Sequence, residues 1–173
     1  MLERILRSKS NAWLSVSATT RSPRPNEIEG VHYRFVTTQQ FEEWIKDDGL
    51  LEWAKVHAGK YYGTPRLPVQ EQLNAGNSVF LEIDTQGAFQ IIESMPEAVS
   101  IFILPPSIEV LKQRLTDRGT ETADQIAGRI ALAEHEIAQQ MRYNYQLVND
   151  SLDDAAEELG RIVNAEEAAG KLG

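Results

Sequence analysis

The chain has 173 residues, of which 42% are hydrophobic and 25% charged, and its formal net charge is −9. That length supports one domain with a substantial core, and the acid excess excludes a general nucleic-acid binder, which needs surplus Lys and Arg. With no cysteine there are no disulfides or thiolate metal sites, three scattered histidines argue against a zinc site, and no apolar run reaches membrane-spanning length. No signal-peptide pattern opens the chain, so the expectation is a cytoplasmic protein without nucleic-acid or membrane partners.

Leu2, Ile5 and Leu6 have helical spacing between basic residues. They fit either the tail of a longer helix or a short frayed one. Trp13 to Ser17 is expected as a short strand, and Thr38 to Asp48 as a helix with Phe41, Trp44 and Ile45 on one face and Gly49 as its stop. Leu50 to His57 and Lys60 to Gly63 suggest two strands around a turn at Ala58-Gly59. Pro65 to Ala75 is helical, and Val79 to Asp84 is a strand with an acidic end. A helix follows over Thr85 to Ser94, then an apolar strand from Val99 to Leu104.

Ser107 caps a helix reaching Thr116, and Asp117 to Ala123 is a polar break. A long helix is expected from Asp124 to Arg142, a strand over Gln146 to Asn149, and a last helix over Asp153 to Glu167. Alternating strands and helices indicate an α/β fold, a parallel sheet covered by helices. The closely spaced strands of about 34–63 break that rhythm and predict a small inserted β/α lobe within a single 1–173 domain.

Two arginines, Arg21 and Arg24, stand three residues apart on a loop stiffened by Pro23 and Pro25. With the phenols of Tyr33 and Tyr62 they suit a phosphate monoester. Each of these residues taken alone is better read as a solvated or half-buried side chain; the combination is not. Glu52, beside Trp53, is either an outward-facing strand glutamate or a carboxylate accepting from guanine, with Ser17 and Thr64 as supporting hydroxyls. Glu82 and Asp84 lie two residues apart, so on a strand they share a face. They suit a Mg²⁺ held through water, a ribose or a base edge, while Asp84 alone suits a helix cap. Arg114, Arg118 and Arg129 flank the polar break, as either lid arginines or ordinary exposed ones.

The runs Ser15-Val16-Ser17-Ala18-Thr19-Thr20-Arg21, Gly30-Val31-His32-Tyr33, Leu51-Glu52-Trp53-Ala54, Tyr61-Tyr62-Gly63-Thr64 and Leu81-Glu82-Ile83-Asp84-Thr85-Gln86-Gly87-Ala88 closely resemble guanylate kinase. So do Ile103-Leu104-Pro105-Pro106-Ser107, Arg118-Gly119-Thr120 and Val148-Asn149-Asp150, and the likeness runs from Trp13 to the last helix. It implies a P-loop-kinase-like fold with a GMP-binding lobe and a helical lid near 114–129. The implied reaction is ATP and GMP, with Mg²⁺, giving ADP and GDP in purine nucleotide metabolism. By that likeness Arg21, Arg24, Tyr33 and Tyr62 meet the GMP phosphate, and Ser17, Glu52, Thr64 and Asp84, with Glu82 close by, surround the base. Arg114, Arg118 and Arg129 line the ATP-side lid, and Asn149 lies near the adenine. The attacking phosphate oxygen is already largely ionised, so positioning and charge neutralisation are the chemistry, with Arg21 and the lid arginines carrying it.

The family opens with a strand and a loop of the form G-x-x-x-x-G-K-[ST]. Here Gly-Lys occurs at Gly59-Lys60 and Gly170-Lys171, neither with a glycine five places before it, and Ser151 stands where a second aspartate is common. The expectation is therefore a chain lacking the first strand and phosphate loop, which binds GMP with little or no phosphoryl transfer. Three readings are open: a kinase whose chain starts late, a non-catalytic module binding a phosphorylated peptide, and a paralogue binding GMP only.

Overall fold

The computed structural model describes residues 1–56, 59–119 and 122–170. Ala58 of the expected turn, Thr120 and Glu121 of the polar break, and Lys171 lie outside the described residues. The chain divides into two compact units, one of Met1–Ile5 with Val99–Ala169, the other centred on Leu6–Ala98.

In the unit centred on Leu6–Ala98, β1 (Ala12–Leu14) runs parallel to β6 (Ser78–Phe80), with Trp13 opposite Val79. The ladder ends where the Ser15 N–H donates to the Phe80 carbonyl at 2.9 Å. Beyond it the chain enters β2 (Ala18–Thr19), which pairs in parallel with β3 (Arg34–Phe35) and antiparallel with β5 (Lys60–Pro65). β5 also pairs antiparallel with β4 (Leu50–Val56), giving the strand order β3-β2-β5-β4. Because β1 ends at Leu14, β6 loses its partner at Phe80, and the expected strand over Val79 to Asp84 stops four residues short.

Helix α2 (Thr38–Lys46) starts at a reciprocal cap between Thr37 and Gln40 and buries Phe41. Phe41 stacks on Tyr61 with ring centroids 5.1 Å apart, and Ala18 and Leu50 complete this core, with Val36, Trp44 and Ile45 packed around it. The helix expected to reach Asp48 and stop at Gly49 ends at Lys46, and Asp48 takes the left-handed conformation at φ 53°. A short polar side chain tolerates it, and Arg66 holds Asp48 through its carbonyl and its carboxylate, both at 2.8 Å. Helices α3 (Arg66–Asn74) and α4 (Thr85–Ser94) complete the unit.

In the other unit β7 (Ile101–Leu104) runs parallel to β8 (Tyr145–Val148). Ser107 caps α5 (Ile108–Asp117), Thr122 and Gln125 cap α6 (Ala123–Ile137) reciprocally, and Ser151 caps α7 (Leu152–Ala168). A cap explains the serine at 151, since its hydroxyl accepts the Asp154 N–H. The expected helix from Asp124 to Arg142 ends at Ile137 and resumes as a 3₁₀ turn over Gln140–Arg142. Gln146 donates there to the carbonyls of Gln140 and Tyr143, which draws the chain into β8. Ile5, from α1 (Leu2–Ser8), is buried close to Gly160, and Arg4 pairs with Asp153.

Phe41 is fully buried and touches both Tyr61 and the Gly63 backbone position. Phe41→Ala is expected to destabilise the Leu6–Ala98 unit by about 3–5 kcal/mol, read as a lower urea midpoint at unchanged slope. A loss below about 1 kcal/mol would show that the lobe does not depend on this ring.

Candidate functional site

The β4–β5 register divides the residues of these strands between two faces. Glu52 lies opposite Thr64 and Ala54 opposite Tyr62, so these four share a face, while Tyr61 and Gly63 turn toward Phe41. The first face lines a cavity of about 290 Å³ with Glu52, Ala54, Val56 and Tyr62, closed by Ser17, Tyr33, Glu82, Ile83 and Asp84. A register shift between Leu50 and Glu52 lets Leu50 join the Phe41 core although Glu52, two residues on, faces the cavity.

Glu52 is 4% exposed, so it is not an outward-facing strand glutamate. Its Oε1 accepts a 2.6 Å hydrogen bond from the Thr64 hydroxyl. Burial raises its pKa above the ordinary carboxylate range and the Asp84 charge adds to this, against the lowering effect of the Thr64 donors. Its Oε2 has room because position 87 carries no side chain: a Cβ on Gly87 would lie 2.3 Å from that oxygen. Gly63 serves the wall behind, where a Cβ would meet the Glu52 carbonyl at 2.7 Å and Phe41 at 3.0 Å.

The arginine loop adjoins this cavity through its tyrosines. Arg21 donates from Nε to the Tyr62 hydroxyl at 2.9 Å, and its guanidinium lies 5.3 Å from the centre of the Tyr33 ring. Tyr33 and Tyr62 meet edge to face at 5.9 Å. Sequence reasoning missed Glu27, whose two oxygens accept from Arg21 Nη1 at 2.8 Å and Nη2 at 2.9 Å. The Arg24 N–H donates to the same carboxylate at 2.6 Å. The Arg21 pair, with the Arg24 N–H, holds Glu27 at about 2, and Glu27 raises Arg21 above its usual value. Arg21, Tyr33 and Tyr62 are thus brought together, whereas Arg24 joins through its backbone and its side chain is exposed.

Glu82 and Asp84 line the cavity, but not at the end of a strand as expected. They belong to the Leu81 to Asp84 stretch that follows the end of β6. Asp84 caps α4, accepting the Gly87 N–H at 2.9 Å. Asp84 and Glu82 are both exposed residues of the cavity lining, and their carboxylates could meet a hydrated ion there. No group of three or more metal-ligating side chains occurs among the described residues.

The family model for guanylate kinase matches residues 1–166. The chain belongs to the guanylate kinase family. It is 47% identical over 167 residues to the guanylate kinase of Synechocystis, covering 96% of this chain and 87% of that one. It is 52% identical over 152 residues to the Streptomyces coelicolor guanylate kinase, covering 88% and 77%. The crystal structure of guanylate kinase from Anaplasma phagocytophilum superposes with a TM-score of 0.80 at 36% identity, covering 95% of this chain and 79% of that one.

In the Val99–Ala169 unit of this guanylate kinase family member, Arg114 donates to the carbonyls of Asn149 at 2.8 Å and Asp150 at 2.9 Å. Arg114 and Asn149, singled out separately in the sequence, are therefore neighbours, and the Asn149 N–H is bound to the Leu104 carbonyl at 2.7 Å. Arg118 follows the end of α5 and Arg129 lies on α6, both exposed. Sequence reasoning also missed Gly87 and Gln90. A run such as Gln-Gly-Ala gives no sign that its glycine faces a carboxylate on a distant strand. Gln90 holds β4 in place, accepting the Trp53 N–H at 3.1 Å and donating to its carbonyl at 2.7 Å.

Gly87→Ala is expected to push the Glu52 carboxylate off the cavity floor. GMP affinity should fall roughly tenfold or more, the scale of one charge-assisted hydrogen bond lost. Unfolding stability should change by no more than about 1 kcal/mol, since alanine favours the helix. Unchanged GMP titration by calorimetry would show that the slot is not needed.

Proposed function

We propose that this guanylate kinase family member holds GMP in the cavity on the β4–β5 face and serves the phosphorylation of GMP by ATP. The observation that carries the reading is the buried Glu52, fixed by Thr64 at the floor of a cavity whose rim carries Arg21-bound Tyr62. A carboxylate accepts from both the N1–H and the exocyclic amine of guanine; adenine presents an acceptor at N1 and repels it. Arg21, Arg24, Tyr33 and Tyr62 supply guanidinium and phenol donors to the phosphate. Ser17 and Asp84, which line the cavity, border the base, with Thr64 acting through Glu52, and the buried base-pairing carboxylate favours a nucleotide over a phosphorylated peptide.

Arg114, Arg118 and Arg129 are proposed to act on the ATP side, near 114–129, with Asn149 beside the adenine. Mg²⁺ brought with ATP would meet Glu82 and Asp84 through its water shell, and when bound it neutralises phosphate charge. The residues of this chain orient the GMP oxygen and hold its charge; that oxygen needs no strong base, because the second phosphate pKa is near ~6. No helix among the described residues is long and apolar enough to cross a membrane, and we propose the cytoplasm as its place of work.

Pairing with guanine needs Glu52 ionised, and in the free protein burial and Asp84 favour its protonated form. A raised folded pKa means that stability from this group is present below the unfolded value of 4.5 and is lost as pH rises through the folded value. Binding has the opposite sign: guanine affinity falls as pH drops through the folded value. Guanosine titrations, free of phosphate ionisation, should show that fall in the wild type and not in Glu52→Gln; a wild-type affinity that falls no more steeply on acidification than that of Glu52→Gln would remove Glu52 from the base site. GMP should bind at least roughly 10²-fold tighter than AMP, and Glu52→Gln should erase most of that ratio.

No stretch of the 173 residues has the form G-x-x-x-x-G-K-[ST], the loop whose N–H groups and lysine hold ATP phosphates. This polypeptide by itself is therefore expected to bind GMP with little or no transfer. ADP release at an ordinary kinase rate, about 1–100 per second, in a coupled assay on the purified chain would contradict this.

A further inference from the structure

Glu27 is an anion placed where an anion is expected to bind. It is not a loose surface partner, for the Arg21 and Glu27 side chains are 17% and 15% exposed. Its carboxylate accepts three hydrogen bonds, two from the Arg21 guanidinium and one from the Arg24 backbone. The loop carrying it is itself a tight turn. Pro25 and Asn26 occupy its centre, Asn26 has φ 73°, and the Glu27 N–H donates to the Arg24 carbonyl at 3.1 Å. Proline followed by a left-handed residue is the type II arrangement, which fixes Glu27 relative to Arg24.

A guanidinium has five N–H donors. Nε–H goes to the Tyr62 hydroxyl, the two Nη1 hydrogens serve the Ser22 carbonyl and Glu27, and one Nη2 hydrogen serves Glu27. One Nη2 hydrogen is left, on the edge shared with Nε. The Tyr62 hydroxyl accepts from Nε, so its own hydrogen is left beside it. These two donors form a pair, held in place by Glu27 on the adjoining Nη1–Nη2 edge and by the Tyr33 and Phe35 rings at 5.3 and 5.8 Å.

We propose that Glu27 is a positioning residue for the GMP phosphate: by occupying the Nη1–Nη2 edge of Arg21 and the Arg24 N–H, it turns the remaining Arg21 donor and the Tyr62 hydroxyl toward the monoester. The inference rests on the GMP reading of the cavity. It differs in sign from simple electrostatics. On charge alone, removing an anion strengthens phosphate binding; if Glu27 orients Arg21, removing it weakens phosphate binding.

The test is calorimetric titration of the 173-residue chain with GMP and with guanosine, for the wild type, Glu27→Gln, Arg21→Lys and the double variant. Glu27→Gln is expected to lose roughly tenfold or more in GMP affinity with guanosine affinity unchanged. In the Arg21→Lys background the same change is expected to have little further effect, because Glu27 acts through Arg21. GMP binding that is unchanged or tighter in Glu27→Gln overturns the proposal. So does an equal loss for guanosine, which marks a general disturbance of the lobe. A wild-type chain that binds guanosine and GMP equally, or neither, overturns the underlying site reading instead.

Discussion

The pairing of β4 with β5 is the constraint on which the lobe depends. Strand residues alternate between two faces, so one hydrogen-bonded pair must serve a core and a cavity at once. Tyr61 and Gly63 close on Phe41, while Glu52, Ala54 and Tyr62 line the cavity, with the buried Thr64 on the same face behind Glu52. A slip of one residue would bury Lys55 and expose Glu52. Thr64 reaches Glu52 only because the register sets them opposite, and Tyr62 reaches Arg21 from the same face. The wall between core and cavity is one strand thick, and glycine at position 63 makes that thickness possible.

The polar groups divide into two stations with different physics. Glu52 is buried without a cation, so desolvation favours its neutral form and a ligand offering two N–H donors restores what solvent no longer supplies. Glu27 is the reverse, an anion kept ionised by a bidentate guanidinium and a backbone N–H. One station is short of donors and discriminates between bases; the other is saturated with donors and holds a shape.

Much of this was legible in the sequence because it is local or strongly patterned. Helix α4 has the expected bounds, from Thr85 to Ser94, since Asp84 caps it and its apolar positions keep one face. The cap at Ser107 and the apolar side of α2 followed from short-range rules. The ordered motifs led to the family before any geometry. What stayed hidden depends on distant partners. The end of β6 at Phe80 is set by where β1 departs, more than sixty residues earlier in the chain. For Glu52 the residues alone left an outward strand glutamate and a guanine acceptor both open, because alternation does not say which face is covered; only the family likeness chose between them. Glu27 was not singled out in the sequence, and only the fold puts Arg21 against Tyr62 and leaves the other edge for it.

The Gln90 side chain has an effect beyond its own helix. By taking both the N–H and the carbonyl of Trp53, its amide imitates a strand residue along the open side of β4. The opposite border of the four-stranded sheet is β3, two residues long. A sheet with one border occupied by a side-chain amide and the other too short to template a neighbour offers little to a second chain. The lobe can thus keep its binding strands at the margin of the sheet, open to a small molecule, without inviting fibre-like association between copies.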